Sequence, residues 1–139
     1  MELTLKHTLK ILSVIILSGA CAPVWAAETT QIELNSTTQS GDACRLTFTA
    51  NAPFGLAALE TQTVLFDTQG AVSTFTLFDF GEVPQNGLRV RQFDVPGTQC
   101  GDIGLILFNG VERCSTSDGA SCEHALTFAS RVDAIEVQQ

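Results

Sequence analysis

The feature that most constrains this chain is a two-residue rhythm of apolar side chains, cut at short intervals by turn residues. In Cys44-Arg45-Leu46-Thr47-Phe48-Thr49-Ala50, one set of alternate positions holds Leu46, Phe48 and Ala50. The other set holds Arg45, Thr47 and Thr49. Successive side chains of a strand point to opposite faces, so this segment reads as a half-buried strand. Asn51-Ala52-Pro53-Phe54-Gly55 ends it. Further strands are expected from about Gln31, over 59–67, 71–80, 88–95, 105–108 and 111–114, and in one or two pieces over 125–137. Asp67-Thr68-Gln69-Gly70 has the Asp-first, Gly-last form of a type I turn and predicts a hairpin. Asn109-Gly110 predicts a second hairpin, with 111–114 as its return strand. Over 88–95, Leu88 and Val90 set one phase and Phe93 and Val95 the other, which predicts a β-bulge. No long amphipathic helix is legible. Seven to nine short strands make an all-β, antiparallel sandwich.

Residues 1–26 have the grammar of a secretory signal peptide: Lys6, His7 and Lys10, an apolar run from Ile11, and a Val24-Trp25-Ala26 cleavage end. The apolar run is too short to span a membrane, and no later run reaches that length. Cys21, after Leu17-Ser18-Gly19-Ala20, offers lipid tethering as a rival fate. The chain is thus expected to be exported, periplasmic or secreted, with one sandwich domain over 27–139.

That segment keeps Cys44, Cys100, Cys114 and Cys122. An even count in a small exported chain reads as a disulfide framework. The favoured pairing is Cys44–Cys100 with Cys114–Cys122; the runner-up is Cys100–Cys114 with Cys44–Cys122. Spacings of 56, 14 and 8 do not suit a zinc site, which wants close pairs. All nine phenylalanines lie after the leader and can supply the core.

Removing Glu2, Lys6 and Lys10 with the leader leaves 14 acidic and 5 basic residues, a net charge of −9. Every one of those bases is an arginine. Nucleic-acid binding, which draws its affinity from cationic contacts to phosphate, is excluded as the main function. The same balance argues against docking on anionic lipid through a basic patch.

The stretch Val64-Leu65-Phe66-Asp67-Thr68-Gln69-Gly70-Ala71-Val72 resembles the strand–turn–strand signature of FxLYD-type bacterial extracytoplasmic domains. Phe66 stands where Tyr is usual. The resemblance extends over 59–95 and does not include the cysteines. It implies an immunoglobulin-like sandwich and an envelope setting, and it carries no catalytic residue.

No G-x-S-x-G, H-E-x-x-H or P-loop spacing is present, and no cofactor or catalytic residue is expected. In 71–80, Phe75 and Leu77 share one face and Phe78 and Phe80 the other; in 59–67, Val64 and Phe66 share one face and Thr63 and Leu65 the other. Arg89 and Arg91 lie on one strand face. The leading reading is a non-enzymatic binding or accessory module that contacts another envelope protein through Phe78, Phe80, Arg89 and Arg91. The alternative is a small-ligand or Ca²⁺-binding module using Asp67, Asp79, Asp94 and Asp102, although no D-x-D-x-D-G loop gathers them. A third reading, a small hydrolase, would rest on His124.

Overall fold

A computed structural model describes residues 28–122 and 125–139. The expected signal peptide, Cys21 and His124 lie outside the described residues. The strands are β1 (Thr30–Ser40), β2 (Ala43–Ala52), β3 (Leu56–Asp67), β4 (Val72–Asp79), β5 (Gly87–Val95), β6 (Ile103–Thr116), β7 (Leu126–Ser130) and β8 (Glu136–Gln138). They form two four-stranded sheets, ordered β5-β2-β1-β7 and β4-β3-β6-β8. The fold is a disulfide-braced, immunoglobulin-like β-sandwich. As in that fold, the second strand pairs with the fifth in one sheet, and the third with the sixth in the other. These central pairings are antiparallel, whereas β7 lies parallel to β1 and β8 parallel to β6.

The core is a layer of phenylalanine rings between the sheets. Phe48 of β2 lies 5.7–6.0 Å from the rings of Phe78, Phe80, Phe93 and Phe108. Two stacked pairs bridge the sheets on either side: Phe78 on Phe93 at 4.1 Å, and Phe108 on Phe128 at 4.2 Å. Aromatic side chains bury large areas each and add a modest geometric preference, so this cluster carries much of the stability.

Cys44 is bonded to Cys100 and Cys114 to Cys122, with Cα–Cα distances of 4.9 and 5.3 Å. The first bond ties β2 of one sheet to the 3-10 turn, Cys100–Asp102, that leads into β6 of the other. The second closes a polar loop in which the Thr116 N–H donates to the Ala120 carbonyl at 2.8 Å.

The Asp67 turn forms as its residues suggest. The Asp67 carboxylate accepts from the N–H of Gln69 and of Ala71, both at 2.9 Å, and Gly70 supplies a φ of 84°. Three local expectations fail. Asn109-Gly110 is not a turn: β6 runs straight through it, with Gly110 opposite Gln62 and a register shift beside it. The long ladder to β3 holds this segment extended, so its turn chemistry is spent on a bulge. There is also no bulge in β5, whose register with β2 is unbroken from Val95 to Gly87. Residues 132–135 turn, with the Ile135 N–H donating to the Val132 carbonyl, rather than forming strand.

Candidate functional site

The register of β3 against β4 and β6 assigns each residue to a face. Leu59, Thr61, Thr63 and Leu65 of β3 point into the sandwich and are fully buried. Their neighbours Glu60, Gln62, Val64 and Phe66 therefore point outward. The more apolar of the two faces near Val64 is the outer one. The same inversion occurs in β4: Thr74 and Thr76 stand opposite the inward Leu65 and Thr63, while Phe75 and Leu77 stand opposite Val64 and Gln62.

Thr61 and Thr63 tolerate the interior because their hydroxyls lie 3.2 Å apart and bond each other, and the Thr61 hydroxyl also donates to the Phe78 carbonyl at 3.4 Å.

Across the outer face the apolar residues form two rows. Phe75, Val64 and Leu107 make one, and Val72, Phe66 and Leu105 the next. Leu77 extends the block along β4. Phe75 and Val72 are each 62% exposed and Leu77 is 50% exposed. Val64 is buried, although it does not belong to the core cluster, because its own row flanks it on the outside. Burying the remaining area of Phe75, Leu77 and Val72 against a partner would return about 1 kcal/mol each. Beyond Leu77 the face becomes charged: Glu60 pairs with Arg113 at 3.1 Å, and Gln62 donates to Glu112 at 2.8 Å.

The outer face of the other sheet contrasts with this one. It carries Arg45, Thr47, Thr49, Gln92 and Asp94, with Leu88 and Val90 at one end. Arg45 forks onto Asp94 at 2.7 and 2.9 Å. That bond holds the Asp94 carboxyl below its ordinary range and raises the Arg45 guanidinium, with charge attraction adding to both shifts.

The residues expected to form the partner surface are placed otherwise. Phe78 and Phe80 are 2% and 0% exposed and belong to the ring cluster, so they offer no open face. Arg89 and Arg91 lie opposite Ala50 and Phe48, on the inward side of β5. Arg91 donates to the Phe80 carbonyl at 2.8 Å and to the Glu82 carbonyl at 3.3 Å; Arg89 also donates to the Glu82 carbonyl, at 3.3 Å. The two guanidinium groups fasten the segment where the chain crosses between sheets, and they are occupied there. The exposed apolar face of this sheet is instead Phe75, Leu77, Val72 and the residues beside them. The legible signal was that 71–80 carries apolar side chains on both faces; which face closes inward was not legible.

The four aspartates proposed for Ca²⁺ are scattered. Asp67 and Asp102 line one cleft of about 310 Å³, between the β3–β4 turn and the connection into β6. Asp79 caps the Gly81 N–H at 2.8 Å, and Asp94 is paired with Arg45. No three metal-ligating side chains come together among the described residues. No helix among the described residues is long and apolar enough to cross a membrane. His124, on which the hydrolase reading rests, lies outside the described residues.

No protein-family model matches the chain, and no curated protein matches it. Among solved structures it is similar to IrmA from Escherichia coli. The superposition has a TM-score of 0.54 at 11% identity and covers 72% of this chain and 90% of that one. At that identity the likeness concerns the fold alone.

Proposed function

We propose that this chain is an exported, non-enzymatic binding or accessory module that docks on another envelope protein. The docking surface is the outer face of the β4-β3-β6-β8 sheet. The observation that carries this is the inversion in β3 and β4: Thr63, Thr74 and Thr76 face the interior while Val64, Phe66, Phe75 and Leu77 face out. Packing of Phe78 and Phe80 sets this phase, and the apolar block it leaves outside is best explained by something that covers it. Two disulfides suit an oxidising compartment, and the leader suits export. The resemblance of the β3–β4 hairpin to FxLYD-type domains supports an envelope setting.

The test is affinity purification of the tagged protein from native envelopes, beside a Phe75→Ser/Leu77→Ser variant. The wild type is expected to bring down one protein in fixed ratio, resistant to salt. The variant is expected to lose it while melting within a few degrees of wild type. The proposal fails if no such partner co-elutes, or if the variant retains it unchanged.

A further inference from the structure

We propose that the partner adds a strand to the free edge of β4, and that the added segment alternates apolar residues and is flanked by Lys or Arg. This rests on the docking face proposed above and names how that face is engaged.

The two sheets have four edges among the described residues: β5, β7, β4 and β8. Natural edges are guarded by shortness, proline or inward-pointing charge. β8 has 3 residues and β7 has 5. β5 carries Arg89 and Arg91 on its inward side. β4 has 8 residues, Val-Ser-Thr-Phe-Thr-Leu-Phe-Asp, with no proline and no basic residue. Its register with β3 is unbroken from Thr74 to Asp79. A bulge at Ser73 interrupts only its start, so Thr74 to Asp79 is the one long edge segment without a guard among the described residues.

Backbone parity makes the edge and the apolar face a single surface. The Phe80 N–H donates to the Leu59 carbonyl at 2.8 Å. In an antiparallel ladder such pairs alternate, so Phe78, Thr76 and Thr74 turn their backbone groups toward β3. Phe75 and Leu77 then turn theirs toward the free edge. These are the residues whose side chains are exposed on the outer face. A strand added there would pair with the backbone of Phe75 and Leu77 and lengthen the apolar rows that start from them.

Charge selects the occupant. Around this face Arg113 is engaged by Glu60. Asp79, at the end of β4 itself, and Glu112 and Glu136, on β6 and β8 of the same sheet, have no basic side chain within ion-pair distance among the described residues. A second copy would bring the same carboxylates and, after the leader, no lysine. A basic-flanked segment of another protein complements them.

The probe is a dye-labelled ten-residue peptide alternating Val and Thr with two Lys at each end, compared with its Glu-ended twin. Binding is read by fluorescence anisotropy on the protein purified after export. The Lys-ended peptide is expected to saturate, to weaken with salt, and to bind at least about 10-fold tighter than the twin. Leu77→Pro removes an edge N–H and leaves the β3 ladder whole, so it should lose at least about 10-fold; Leu77→Val should stay within about threefold. Amide exchange on the wild type needs no variant to fold: peptide should slow Phe75 and Leu77, with Thr74 and Thr76 already slow. Equal binding of the two peptides, no saturable binding, or unchanged exchange at Phe75 and Leu77 overturns the proposal. A wild-type dimer in sedimentation equilibrium that Leu77→Pro dissociates also overturns it, because the occupant is then a second copy. If the native partner survives Leu77→Pro but not Phe75→Ser/Leu77→Ser, strand addition falls and the docking face stands. If it survives both, the docking face falls too.

Discussion

Opening the disulfides one at a time separates two sources of stability. Cys44–Cys100 closes a separation of 56 residues and Cys114–Cys122 one of 8. Loop-closure entropy grows with the logarithm of loop length, which gives about 4 kcal/mol for the first and about 2.5 kcal/mol for the second at 25 °C. Burial does not separate the two bonds: each joins one buried cysteine, Cys44 or Cys122, to one partly buried cysteine, Cys100 or Cys114, so both double variants leave unfilled space. The shorter loop also keeps the Thr116–Ala120 hydrogen bond. For a domain of this size 1 kcal/mol moves the Tm by about 4 °C, so the losses should be about 16 °C and about 10 °C. The assay is urea and thermal unfolding by far-UV circular dichroism, since residues 27–139 have no Trp or Tyr to report by fluorescence. Equal losses, or a larger loss for Cys114→Ala/Cys122→Ala, would refute the chain-entropy reasoning. A marked change in the urea m-value for one variant would refute it too, by showing that its unfolded state had changed.

Other expected outcomes follow from the same geometry. Phe48→Ala, at the centre of four ring contacts, should cost about 3–5 kcal/mol in urea unfolding. Arg91→Ala should cost about 1–3 kcal/mol, and faster amide exchange should appear first in the Phe80–Glu82 crossing whose carbonyls it holds. Thr76→Pro, which removes a ladder N–H, should melt well below Leu77→Pro, which removes an edge one; equal melting would show the parity to be reversed. Asp94 has a folded pKa below its unfolded value, so its pairing with Arg45 stabilises above the unfolded carboxylate range and is lost as pH falls through the folded pKa. Asp94→Asn should therefore melt slightly below wild type at neutral pH, and the two should converge in acid. The pair lies at the solvent surface, so the difference should also shrink with salt.

The sequence by itself determined the class of fold. Period-two alternation, phenylalanines and no helical pattern leave a chain of this size little but a sandwich. It also determined the β3–β4 turn, because Asp67 and Gly70 act on backbone within a few residues of themselves. Tertiary structure decided which face of β3 and β4 is inside. A strand with apolar residues on both faces carries no local signal for its phase. The choice is made by the ring cluster: once Phe78 and Phe80 join Phe48, Phe93 and Phe108, parity puts Thr74 and Thr76 inside and Phe75 and Leu77 outside. Asn109-Gly110 stays extended for a similar reason, since the many bonds of the β3–β6 ladder outweigh the preference of one dipeptide. Arg89 and Arg91 were legible as two cations on one face, but not as donors to carbonyls at Phe80 and Glu82, which reach them only where the chain crosses between sheets. Local chemistry settles local geometry; the exposed apolar face is a parity set by packing between distant strands.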